Sequence, residues 1–176
     1  MNDELPTRDD LPSRLGKAMI FGAWIVGIAL LVLFFQDLLD RQHNPNRDPV
    51  QIGDARAGVV LQRNRMGHYV ASGEINGERV TFLLDTGATS VALPLTLARR
   101  LGLRLVPGGM SKTANGMVET WGTRLDSVAL GGLVVRNVRA AVLPNMPGDD
   151  VLLGMSYLRH FELIQRGDTL TVRRPL

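Results

Sequence analysis

The chain has no cysteine, which excludes a structural disulfide, a thiolate nucleophile and a cysteine-ligated zinc site. Histidine is nearly as scarce. His43, His68 and His160 are too dispersed to suggest a metal site, and each reads as structural or solvent-facing, so no metal is expected. The net charge of +3 is not gathered into any run of lysine or arginine, and no nucleic-acid footprint follows from it. Ser90 and Ser156 lack the glycine context of a nucleophile elbow. Arg166-Gly167-Asp168 reads as a hairpin turn, and there is no internal repeat or low-complexity tract.

What the chain does have begins with residues 18–35, a run without charge between Lys17 and Gln36. As a helix it spans about 27 Å, close to the hydrocarbon thickness of a bilayer. It is apolar all round, whereas a buried core helix shows a polar face. It ends in bulky side chains and Gln36-Asp37, not in a small-residue cleavage site, so it reads as an uncleaved transmembrane anchor. Arg8, Arg14 and Lys17 precede it and Arg41, Arg47 and Arg56 follow, a tied count that the proximity of Arg14 and Lys17 breaks. The expectation is a single-pass membrane protein with residues 1–17 cytoplasmic and residues 36–176 on the far side of the bilayer.

Residues 36–50, with Asn44, Pro45, Asn46 and Pro49 among charges of both signs, have linker composition. Residues 51–176 are the size of one domain. Strands are predicted at 58–62, 68–75, 78–84, 110–114, 117–130, 133–143, 161–165 and 169–173, with a helix over 94–101. The first 50 residues carry 5 basic and 7 acidic side chains and the remainder 15 and 10, the arginines falling at strand ends as on a solvated face.

Within this domain the decisive feature is Asp85-Thr86-Gly87, followed by Ala88-Thr89-Ser90. As a tripeptide it is also ordinary turn chemistry, Asp bonding its own backbone and Gly taking positive φ. Its setting is more specific. Val80, Phe82 and Leu84 alternate with Arg79 and Thr81, as in a strand with one buried face, and Asn76-Gly77 joins that strand to the one before it. Near the C-terminus Val151-Leu152-Leu153-Gly154 forms an apolar strand, a glycine and then the start of a short helix. Between the two, Asn115-Gly116 stands at the tip of another hairpin, which is either an ordinary meander or a mobile ribbon over a site. Trp121 on that hairpin reads as core packing.

These residues together resemble the retropepsin-like, single-lobe aspartic proteases, particularly membrane-anchored bacterial ones, over roughly residues 57–176. The resemblance implies an all-β, closed barrel lobe with one or two short helices and no cofactor, preceded here by the single transmembrane helix. It implies Asp85 as the catalytic carboxylate, Thr86 bracing the opposite loop, and Gly87 and Ala88 supporting the site. Leu152, Leu153 and Gly154 become a buttress beside the loop, and Ala114, Asn115 and Gly116 the tip of a flap over a bound peptide. Such enzymes activate water between two carboxylates, one protonated and one ionised. Asp126-Ser127-Val128 and Asp168-Thr169-Leu170 both lack the glycine, so the second carboxylate is expected from a second copy of the chain. At about 4 Å and an effective dielectric near 20, two such charges repel by about 4 kcal/mol, enough for the pair to share one proton. The expected function is therefore a homodimeric aspartic endopeptidase acting on proteins or peptides. A lobe of the same kind without catalysis would instead hold extended peptides by strand addition; a pure binder has no need of a half-buried carboxylate.

Overall fold

The computed structural model describes residues 10–53, 58–113 and 116–175. Two compact units follow one another, residues 1–40 and 41–176. Helix α1 (Asp10–His43) dominates the first. Over Gly16–His43 it is long and apolar enough to cross a membrane, with Phe21, Trp24 and Phe34 among its exposed side chains. Within the segment of linker composition α1 continues to His43, and Asn44 and Asn46 beyond it are buried.

The second unit is a β lobe. Strands β1 (Val50–Ile52) and β2 (Gly58–Gln62) join the C-terminal hairpin β10 (Glu162–Arg166) and β11 (Thr169–Arg173) in a four-stranded sheet, ordered β1-β2-β11-β10. The larger sheet contains β3 (Val70–Ile75), β4 (Glu78–Leu84), β5 (Val91–Pro94), β6 (Val106–Thr113), β7 (Gly116–Leu130), β8 (Leu133–Leu143) and β9 (Val151–Leu153). Its order is β3-β4-β9-β5-β8-β7-β6, and β3 also pairs with β7 through Glu74↔Ala129 and Ile75↔Val128, closing it into a barrel. Closure requires Gly73, because a Cβ there would strike the Ala129 carbonyl and the Phe82 ring. The β3–β4 turn takes the form its dipeptide dictates, with Asn76 at φ 53° and Gly77 at φ 85°. Val59, Ile75, Phe82, Leu93, Leu125 and Tyr157 fill the interior without solvent exposure.

The predicted all-β lobe is therefore observed, with two strands the pattern did not reveal, β1 at the edge of the smaller sheet and β5 within the larger one. Residues 91–94 form β5, buried at every position, parallel to β8 on one side and paired with β9 on the other. A strand covered on both faces has no alternation, and Pro94 pointed to the helix that follows. Pro94 in fact lies just outside helix α2 (Leu95–Arg100), extended at φ −68° and ψ 150°, as both strand end and N-cap. Trp121 corrects the reading that placed it in the core: it stands on β7 with 36% of its surface exposed.

Candidate active site

Asp85 is the first residue beyond β4, a strand held between β3 and β9. The parallel register Phe82↔Val151, Leu83↔Leu152, Leu84↔Leu153 carries the ends of β4 and β9 out side by side. At that end the Leu84 N–H donates to the Tyr69 carbonyl (3.0 Å) and the Asp85 N–H to the Leu153 carbonyl (3.2 Å). The backbone at Leu84 and Asp85 is thus tied on both sides before the Asp85 side chain leaves the sheet.

The loop then turns on itself. The Gly87 N–H donates to Asp85 Oδ1 at 2.8 Å, and the Ala88 N–H to the Asp85 carbonyl at 3.3 Å. An N–H aimed at a carboxylate oxygen fixes its rotamer. Asp85 is half-buried, Ala88 likewise, and Thr86 and Gly87 are exposed, so the carboxylate has a rigid base and an open face.

Behind the loop lies the glycine element. Gly154 is buried, and a Cβ on it would come within 2.7 Å of the Ala88 carbonyl oxygen and closer still to that of Ser90. The Met155 N–H donates to the same Ala88 carbonyl at 2.8 Å. Leu153 is buried and Leu152 partly so, and helix α3 (Met155–Leu158) starts directly after Gly154. The structure therefore brings residues 85–88 and 152–154 together.

Two residues that sequence reasoning gave no part in the site hold this region. Ser156 Oγ accepts from the Val91 N–H (2.9 Å) and donates to the Arg139 carbonyl (2.8 Å), joining α3 to β5 and β8. Tyr157 donates its hydroxyl to the Leu133 carbonyl at 2.7 Å, and burial pushes its ionisation well above the ordinary tyrosine range, so it stays a neutral donor. Neither had a sequence signal, because each partner is a backbone carbonyl or N–H remote in the chain.

The hairpin β6–β7 pairs Thr113 with Gly116, whose φ is 105°. Ala114 and Asn115 lie outside the described residues. Val106, Met110, Met117 and Trp121 are all exposed on this ribbon. Near its base a β-bulge falls between Pro107 and Gly109, where a Cβ on Gly108 would meet backbone of β7 within 3 Å. Asp126 is exposed on β7, and Asp168 sits in the β10–β11 turn, 3.5 Å from Arg63.

Residues 71–160, from β3 through the Asp85 loop to just beyond α3, match the family described as gag-polyprotein putative aspartyl protease. The chain belongs to that family. The lobe is retropepsin-like also in three dimensions: it resembles the crystal structure of a retropepsin-like aspartic protease from Rickettsia conorii with a TM-score of 0.58 and 31% identity, over 66% of this chain and 90% of that one. Two bacterial sequences are similar to it. An uncharacterized protein of the cobV 5′ region in Sinorhizobium sp. is 34% identical over 121 residues, 65% of this chain and 51% of that protein. Another uncharacterized protein, from Rickettsia prowazekii (strain Madrid E), is 32% identical over 108 residues, 59% of this chain and 46% of that one. This retropepsin-like chain spans about half the length of these curated relatives.

Proposed function

We propose that the protein is a homodimeric aspartic endopeptidase anchored in the bacterial inner membrane through residues 18–35, with residues 51–176 forming the protease domain. The observation that carries this reading is the held carboxylate: Asp85 is tied through its backbone to the end of β9, bonded at Oδ1 by the Gly87 N–H, and open on its outer face. A second copy supplies the facing Asp85. One carboxylate of the pair is protonated and donates to the scissile carbonyl oxygen, while the ionised one takes a proton from the water between them as that water attacks the carbonyl carbon. Thr86, exposed beside the carboxylate, braces the loop of the other copy, and Gly87 and Ala88 keep the backbone close to the substrate. Leu152, Leu153 and Gly154 hold the loop from behind.

The β6–β7 hairpin, with Ala114, Asn115 and Gly116 at its tip, acts as the flap that closes over an extended peptide and excludes water. The exposure of its apolar side chains supports that role. Arg14 and Lys17, the charges nearest the apolar run, support a cytoplasmic N-terminal side and a periplasmic lobe.

The test is turnover of a peptide library by the full-length protein in detergent, against Asp85→Asn. The variant is expected to keep the fold and lose cleavage by at least about a thousandfold, since it removes the group that takes the water's proton. Equal cleavage by the two proteins refutes the enzyme reading and leaves the peptide-binding module.

A further inference from the structure

The segment that follows the apolar helix is bonded into the lobe. Asn46, 5% exposed, forms a one-residue parallel bridge with Ala71 of β3. Its side-chain amide donates to the carbonyls of Gln62 (2.9 Å) and Val70 (2.7 Å) and accepts from the Gln62 N–H (2.6 Å). Its own carbonyl accepts from the Ser72 N–H at 3.0 Å. Asn44 donates to Ser72 Oγ (3.1 Å) and accepts the Asn46 N–H (3.0 Å). Asn64, 7% exposed, donates to the His43 carbonyl at 3.0 Å, a group that a helix end otherwise leaves without an intrahelical partner. The His43 ring lies 2.8 Å from Asp150, which leads straight into β9. Buried amides satisfied on both their donor and acceptor sides belong to a folded structure, and a solvated tether has none.

This clasp sets a length. From Phe35, the end of the apolar run, to His43, held through both its carbonyl and its ring, is eight helical steps, about 12 Å. A lobe the size of residues 41–176 has a radius of gyration of about 14 Å and a diameter of roughly 37 Å. Whatever angle the helix takes, no part of the lobe then stands more than about 50 Å from the end of the apolar run. Were residues 36–50 free chain, they could add roughly 50 Å before the lobe began.

We infer that the protease cuts only extended segments lying within about 50 Å of the bilayer surface, and that segments held farther out are not reached. This rests on the reading of Asp85 as catalytic and of residues 18–35 as the anchor. The test places full-length protein in vesicles of phosphatidylethanolamine and phosphatidylglycerol with single-pass reporters. Each reporter carries one peptide that the protein cuts in detergent, raised on Glu-Ala-Ala-Ala-Lys helical spacers of about 15, 30 or 90 Å. Cleavage is expected at the two lower heights and at least tenfold slower at the tallest. A 60-residue Gly/Ser insertion between Asp40 and Arg41, which leaves the clasp within the lobe, is expected to bring the tallest reporter to within about threefold of the others. Equal cleavage at all heights without the insertion, or no change on inserting it, overturns this inference while the protease reading stands. Cleavage in detergent no faster than that of Asp85→Asn overturns both.

Discussion

Asp85 owes its orientation to backbone groups: the Leu153 carbonyl that receives its N–H and the Gly87 N–H that meets its Oδ1. Substitutions that leave Asp85 untouched are therefore expected to disturb the site. Gly154 has φ −90°, which any residue can adopt, so only steric crowding demands glycine there. Gly154→Ala would press a methyl against the carbonyls of Ala88 and Ser90, backbone that cannot move without shifting the loop. A loss of about 2–3 kcal/mol is expected, read as a lower denaturant midpoint together with reduced turnover. At Ala88 a serine hydroxyl could bond the ionised carboxylate and favour it. Ala88→Ser should move the acid limb of the pH–rate profile to lower pH, because ionisation then survives further into acid. An unmoved limb would show that the hydroxyl does not reach the carboxylate.

Among the elements, the hairpins follow directly from their dipeptides, since Asn76-Gly77 accepts positive φ at both positions and sets the β3–β4 register. The asparagine clasp has no such local origin. Asn44, Asn46 and Pro45 read as linker by composition, yet the two asparagines are buried between β2 and β3. A fragment starting at Val50 is therefore expected to be less stable than one starting at Arg41. Losing Asn46 strands the Gln62 N–H and the Val70 carbonyl, and with its neighbours amounts to about 3 kcal/mol. Comparison of urea midpoints for the two fragments measures it, and equal midpoints would show that the clasp contributes nothing to the lobe.

For the molecule as a whole, the one Asp-Thr-Gly sequence makes the proposed site a property of two chains. Mixing equal amounts of wild type and Asp85→Asn under conditions of subunit exchange leaves one dimer in four with both carboxylates. Activity is then expected to fall to about half that of the unmixed wild type. Activity unaffected by the mixing would place the complete site in one chain. Confinement of both copies to one membrane raises their effective concentration, so specific activity should survive dilution better in vesicles than in detergent.

The features legible in the amino-acid sequence are those whose physics is local: the apolar run of residues 18–35, the Asn-Gly turn at 76–77, the strand feeding Asp85, and the glycine after Leu153. Each depends on the character of a few consecutive side chains. What only the tertiary structure decided depends on pairings between distant segments. The parallel docking of β4 on β9 sets Gly154 behind the Asp85 loop, β5 is buried between β9 and β8, and β3 meets β7 to close the barrel. Asn46 belongs with these: the same amide would be solvated in a free linker and is buried here only because β2 and β3 present their backbone groups to it. Hydrogen-bond partners supplied by backbone leave no mark on the identity of the residues that supply them, and so no pattern in the sequence could announce them.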